Sequence, residues 1–342
     1  MSHAPTWGLV ATVKAPTRDI LDFAAHHLDL GAHRVFIYLD APDSAAQTAL
    51  RAHPKCRVTV CDDAYWARRR RRGRPDRHQP RQSLNATHCL NRRPQVDWLA
   101  HVDVDEFLWP STPLPDQLAA LPRDTLSARV RPVEALAPDP GDQAPPGTQP
   151  GTHWFKSCAQ MQARRREETD AIYPRFGPHL NGGFLSHVAG KVFVRTGLDG
   201  LSLRIHNAFQ DGVKDAAPAT LRDTWLCHLH AATWEHWQAR YRFRLRQGSY
   251  RPGLKPAPLS EGEALSMHAL LRRLEETGGE DALRRFYAEV CTATPGLRAR
   301  LAAHGRLHAI DLGLEAKRER HFPGPAGAPS GRADPPHRAR DR

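Results

Sequence analysis

The segment Trp98–Pro110, "WLAHVDVDEFLWP", sets three carboxylates, Asp103, Asp105 and Glu106, inside an otherwise apolar run. An apolar run of this kind reads as a buried strand, the fourth of the chain, and a buried carboxylate is costly unless something compensates it. Side chains at i and i+2 of an extended strand lie on one face, so Asp103 and Asp105 can reach a single cation together as the strand breaks. Mg²⁺ and Mn²⁺ prefer oxygen ligands and are commonly held by one or two carboxylates together with substrate phosphates. The competing reading, a surface turn with incidental acids, sits poorly with the flanking Trp98, Phe107 and Trp109.

The hundred residues before this segment alternate strand and helix signals. "WGLVATVKA", "RVFIYLD" and "RVTVCD" read as strands; "RDILDFAAHHLDLG", capped by Thr17 and stopped at Gly31, "SAAQTALRAH" and "PRQSLNATHCLNRR" read as helices. Such alternation predicts an α/β fold: one Rossmann-like, mainly parallel sheet with helices on both faces. Ligands of these sheets bind beyond the carboxyl ends of the strands, where Asp40, Asp62, Asp63, Asp103 and Asp105 all fall.

Beyond the segment, "PDQLAAL" reads as a short helix and "TLSARVRPVEA" as a strand. A Pro/Gly-dense stretch, "LAPDPGDQAPPGTQPG", precedes the β-rich "LSHVAGKVFVRTGLDGLSLRIHNAF". "TWLCHLHAATWEHWQARYRFRLRQGSY" passes from strand to helix, and two amphipathic segments follow at "EALSMHALLRRLEE" and "EDALRRFYAEVC". The expected organisation is a catalytic domain over 1–255, a small mixed, mainly helical C-terminal region over 256–320, and a disordered basic tail over 321–342.

The 342 residues suffice for a sizeable core, while the 29 prolines and a mean hydropathy of -0.59 point to long loops or tails. No apolar run approaches the roughly 18 residues of a membrane span, and "MSHAPTWGLVATVKAP" lacks the pattern of a signal peptide, so a cytoplasmic protein is expected. Six cysteines without C-x-x-C spacing fit reduced, mostly buried thiols. A net charge of +12 favours polyanions, acidic lipids or phosphorylated small molecules as partners. Five consecutive arginines, Arg68 to Arg72, read as a basic loop. They offer an alternative function, nucleic-acid binding together with the basic tail. Against it, the arginines are not interleaved with aromatics and no nucleic-acid motif is present, so nucleic acid is disfavoured as a partner.

The segment resembles GT-A fold glycosyltransferases of the family-2-like type related to family 92, whose motif runs W-x-x-x-x-D-x-D-E-F. Trp98, Asp103, Asp105, Glu106 and Phe107 occupy the matching places. "VKAP", "AAHHLDLG" and "IYLDAPDS" are similar to the family's opening elements, although Ala15 and Pro16 replace its usual Asn-Glu. Arg81, Gln82 and Asn85 match a run before the acidic motif, "AGKVFVR" matches a later Gly-Lys segment, and "HLHAATWEHW" matches its late histidine block. The resemblance spans roughly residues 7 to 250.

It implies a metal-dependent enzyme moving a sugar from a nucleotide-diphosphate sugar to an acceptor hydroxyl on a glycan or other acceptor, at the inner membrane face or in the cytoplasm. Asp103, Asp105 and His228 would ligate Mn²⁺ or Mg²⁺, with His230 the alternative to His228. Lys14, Asp40, Asp103 and Lys191 would contact the donor, Asp40 through ribose hydroxyls, and Lys191 or Arg195 would meet phosphate or acceptor charge. Glu106 would orient its neighbours or the donor sugar. The base that an inverting transferase needs falls among Glu134, Glu167 and Asp170. His206 is open between a core and an active-site role, and Trp225, Trp234 and Trp237 read as packing residues.

Overall fold

The computed structural model describes residues 4–141, 152–248, 250–253 and 264–324. Its first half follows the local sequence periodicity. The strands β1 (Trp7–Val13), β2 (Arg34–Leu39) and β3 (Cys56–Val60) alternate with helices α1 (Thr17–Asp29) and α2 (Ser44–Ala52) and lie parallel to one another. Asp43 caps α2 by accepting the Ala46 N–H at 2.8 Å, whereas α1 follows Pro16 without a side-chain cap and the Thr17 hydroxyl turns to Asp43 instead. The expected arginine loop begins as a helix, α3 (Asp63–Arg69), capped by Asp62, and α4 (His78–Asn91) returns the chain to the sheet.

The deciding segment is two strands, not one. β4 (Trp98–His101) joins β1 in parallel, and the chain then turns through Asp103, Val104 and Asp105 into β5 (Glu106–Pro110). Two bonds close that turn: Glu106 N–H to the Asp103 carbonyl at 3.0 Å, and Asp103 N–H to the Glu106 carboxylate at 2.8 Å. The i, i+2 strand geometry expected for Asp103 and Asp105 therefore does not apply.

Helix α5 (Leu114–Ala119) leads to β6 (Ser127–Ala135), β7 (Thr152–Lys156), α6 (Gln162–Ile172) and β8 (Lys191–Arg195). A small antiparallel sheet of β9 (Leu201–Leu203), β10 (Ala208–Gln210) and β11 (Val213–Lys214) precedes the long β12 (Ala219–His228). The helices α7 (Trp234–Arg246), α8 (Met267–Cys291) and α9 (Pro295–Ala303) follow, then β13 (Leu307–Asp311) and α10 (Leu314–His321). Gly279, at φ 56°, breaks α8 between the two amphipathic segments.

The ten-stranded sheet is mixed. β13, β7, β6, β8, β4, β1, β2 and β3 run in that order, while β12 joins β6 in parallel and carries β5 antiparallel on its other edge. Antiparallel β8, between β4 and β6, interrupts the parallel arrangement. The C-terminal stretch is more integrated than the expected helical region. β13 adds an edge strand to the sheet, and α10 packs on α1, where fully buried Arg318 meets Asp22 at 2.5 Å. Phe322, assigned to a disordered tail, is buried in the core; the tail from 325 onward lies outside the described residues. A second core, built around Trp237, Tyr250, Leu271, Phe286 and Leu297, binds α7, α8 and α9 together. Among the described residues no helix is long and apolar enough to cross a membrane.

Candidate metal centre

Strand pairing builds the site. β12 lies between β5 and β6, which sets His228 opposite Glu106 on one side and opposite Glu134 on the other. Glu134 in turn faces Lys156 on β7. Four ionisable side chains of alternating sign thus form one row across four strands, and all four are buried. Burial of charge on this scale is tolerable only because each member has an opposite neighbour.

The turn delivers Asp105 to the end of this row. Its backbone carbonyl accepts the Leu229 N–H at 2.8 Å, pinning the turn to the end of β12, and its carboxylate lies 3.6 Å from His228 Nε2. Asp105, His228 and His230 bring one ligand atom each to within 4.8 Å of one another, a group able to hold a metal ion. Burial alone would raise the Asp105 pKa, but charged His228 outweighs it and holds the carboxyl below its ordinary value. For His228 burial works against the charge, and Asp105 first, then Glu106 and Glu134, raise its pKa to about 9. His230 goes the other way: burial, then Arg244 and His228, keep its imidazole neutral. Without a metal, a proton on His228 therefore supplies the cation that balances Asp105.

His230 is held from behind. Its Nε2 lies 3.1 Å from the Tyr250 hydroxyl, which also accepts the Trp237 indole N–H at 3.1 Å. A metal on Nδ1 requires Nε2 to carry the proton and donate to Tyr250, an outer hydrogen bond of the sort that orients metal-bound histidines. The Arg244 guanidinium fixes the His230 carbonyl at 2.9 Å. One carboxylate oxygen and two imidazole nitrogens suit Mn²⁺ better than Mg²⁺, which favours oxygen alone.

Asp103 lies outside this group. Its oxygens accept from Lys191 Nζ at 2.7 Å and from Gln82 at 2.5 Å, and burial is outweighed by Lys191, which drives its pKa well down. Among the described residues the group able to hold a metal is thus Asp105 with both histidines, while Asp103, expected beside Asp105 as a ligand, is held by Lys191 and Gln82. The H-x-H spacing at the end of β12 was the available signal: it repeats the i, i+2 logic applied to the aspartates.

Lys191, expected at a phosphate, is fully buried and ion-paired with Asp103 and, at 3.3 Å, with Glu106. Gly190 before it, at φ 67°, packs so close to the Val130 carbonyl that a Cβ would lie 2.0 Å away, which admits only glycine. Arg195 sits at the opposite end of β8, over the Trp98 ring and bonded to the Thr125 carbonyl. Asp40 is enclosed by arginines: Arg81 reaches its two oxygens at 2.7 to 3.0 Å and Arg74 adds a contact at 3.0 Å. That pairing competes with the ribose contact expected of Asp40. Lys14, at the end of β1, is exposed, and no described side chain pairs with it.

Of the candidate bases, Glu134 alone joins the row, but it is sealed there. Its oxygens accept the N–H groups of Leu185 and Ser186 at 3.0 and 2.9 Å, with Lys156 at 3.4 Å. Glu167 and Asp170 lie on α6, where Asp170 pairs with Arg166 at 2.8 Å. His206 stacks on His187 with ring centroids 3.5 Å apart and bonds the Gly190 carbonyl at 2.9 Å. Trp234 and Trp237 are packing residues of the second core, whereas Trp225 is half-buried at the sheet surface. In the arginine run, Arg69 lies over the Tyr65 ring at 3.8 Å and contacts His88.

No family model matches the chain, and no curated protein matches it. HddC from Yersinia pseudotuberculosis aligns at 7% identity and a TM-score of 0.26, over 39% of this chain and 63% of that one. This chain therefore spans less than two thirds of HddC. A mycobacterial protein aligns at 12% identity and a TM-score of 0.33, over 80% of this chain and 89% of that one. Similarity at this level transfers no function.

Proposed function

We propose that this chain is a metal-dependent glycosyltransferase of GT-A type that takes a nucleotide-diphosphate sugar as donor and a hydroxyl of a glycan or other molecule as acceptor. The observation that carries this reading is the Asp105–His228–His230 group, formed where the sheet presents the ends of β4 and β12. The group is not sealed from solvent: 26% of each of the Asp103 and Asp105 side chains remains exposed. A divalent cation bound there supplies charge neutralisation for a departing nucleotide diphosphate.

The chain's own residues do the rest. Asp105 contributes the anionic ligand, and His228 must give up its proton to contribute a nitrogen. Lys191, between Asp103 and Glu106, keeps the turn closed at 2.7 and 3.3 Å and so fixes where Asp105 points. Glu106 acts on position through the Asp103 N–H rather than on the substrate. Lys14, exposed at the end of β1 and without a side-chain partner among the described residues, is a cation placed to meet a donor phosphate.

The test is a thermal-shift screen of UDP and GDP with Mn²⁺, Mg²⁺ and no metal, followed by a sugar-nucleotide screen for slow donor hydrolysis. Stabilisation that needs Mn²⁺ and disappears in Asp105→Ala supports the proposal. Metal binding with no nucleotide binding at all would sink it, because the cluster would then serve other chemistry, such as that of an Fe²⁺ bound by the same two histidines and carboxylate.

A further inference from the structure

The opposite face of the same strands carries a pocket unrelated to the carboxylates. Side chains alternate faces along a strand, so Trp225, three residues before His228, points away from it. Trp109, the register partner of Trp225, and His308, opposite Phe155 on β13, fall on that same far face. Together with Ser111, Arg222 and Asp223 they line a cavity of about 250 Å³. That is below the roughly 300–1,000 Å³ of sites for drug-sized ligands and is sized for one ring.

The lining is chemically mixed. The Trp225 and His308 rings meet at a centroid distance of 5.1 Å and an angle of 53°, forming an angled aromatic wall. Arg222 and Asp223 are exposed, and neither side chain has a partner among the described residues. Neighbours in sequence point to opposite faces of a regular strand, yet both line this pocket. Both lie within an irregularity: β12 loses its register with β6 between Thr220 and Trp225, and such bulges re-aim side chains. The rim is also fixed in place, since the Asp223 carbonyl accepts the Ser111 N–H at 2.7 Å and the Ser111 hydroxyl at 3.2 Å.

We propose that this pocket binds a single pyranose ring of a neutral saccharide. A pyranose is apolar on its C–H face and polar around its edge. Tryptophan faces accept the first, while an unpaired carboxylate and guanidinium beside them accept from and donate to the ring hydroxyls. A flat apolar ligand would make no use of Arg222 and Asp223, and a simple anion would leave the tryptophans unused. The proposal rests on the far face alone and does not need the transferase reading.

The experiment is saturation-transfer NMR and calorimetry on the full chain with cellobiose, maltose, lactose and chitobiose, and with glucuronate and adenosine as counter-probes. At least one neutral disaccharide is expected to bind wild type, to weaken at least tenfold in Trp225→Ala and in the rim variant Arg222→Ala/Asp223→Asn, and to bind Asp105→Asn unchanged. The rim variant alters only exposed side chains, so it decides the matter if Trp225→Ala fails to fold. Three results overturn the proposal. One is no neutral disaccharide binding up to about 20 mM, well above the ~1 mM range of weak sites. Another is preference for glucuronate or adenosine. The third is binding that survives the rim variant or is lost in Asp105→Asn, which would place the sugar on the other face. Because the readout is binding, a failed transferase assay leaves the result intact.

Discussion

Asp40 follows β2 and Asp105 precedes β5 of one sheet, and both are carboxylates taken partly out of water, yet they are neutralised in different ways. Asp40, 5% exposed at its side chain, is held by two arginines. Asp105 faces His228, a partner that can lose its proton, with neutral His230 beside it. A permanently paired carboxylate is a structural device. One paired by a titratable group is exchangeable, because a metal can take the proton's place.

Removing Asp105 should break the comparison most sharply. Asp105→Ala deletes the anionic ligand and is expected to weaken Mn²⁺ binding by more than about 100-fold, since even outer-shell changes cost about 10–100-fold. Calorimetric titration at fixed pH measures it, and an unchanged affinity would remove Asp105 from the metal group. Asp40 should answer differently. Arg81→Ala takes away its main partner and is expected to cost about 2–3 kcal/mol of stability, less than the full penalty of an orphaned buried charge because Arg74 remains. Denaturant unfolding reads the loss, and Mn²⁺ affinity should stay at the wild-type value.

The pH dependence tests the Asp105–His228 pair. The His228 pKa is raised in the folded state to about 9, so its ion pair stabilises the metal-free protein fully below the unfolded histidine value of 6.5. That contribution is lost as pH rises through about 9. Metal affinity should run the opposite way, since proton and metal compete for one nitrogen. A rise of about tenfold per pH unit is expected until His228 is deprotonated, and then a plateau. A flat profile between pH 6.5 and 9 would mean that His228 is not a ligand.

Much of the first half of this fold is legible locally. β1 to β3 and their helices show their own period, though not the cap of α1, so Asp40 could be set at a strand end from sequence alone. What Asp40 touches could not, because Arg74 and Arg81 reach it across a turn and a helix. The acidic segment misleads for a related reason. Its apolar run is continuous, but β5 is turned back by pairing with β12, more than a hundred residues downstream, and no local signal marks that. β13 was missed likewise, since a five-residue edge strand acquires its meaning from β7; α10, almost wholly inside the stretch expected to be helical, is fastened by buried Arg318 rather than by an apolar stripe. Asp105 stood out as an acid ending an apolar run, while His228, with His230 as its alternative, was reached only through the resemblance. His230 needed the register, and Tyr250, placed by Trp237 from the second core, had no signal of its own.

The smallest expected effect tests how far that second core reaches into the site. Tyr250→Phe deletes one hydroxyl and leaves the aromatic packing in place, so the fold should lose about 1–3 kcal/mol. Two groups then lose their partner, the Trp237 N–H and His230 Nε2, both at 3.1 Å from that oxygen. Without an acceptor the proton on Nε2 is less favoured, and the other tautomer puts it on the nitrogen the metal requires. Mn²⁺ affinity should therefore fall about tenfold, at the low end for a partner that orients a metal-bound histidine. The pH profile should keep its slope, because that slope belongs to His228. A loss of affinity with an altered slope would show that Tyr250 acts on the His228–Asp105 pair, and equal affinity would show that His230 binds the metal without help from behind.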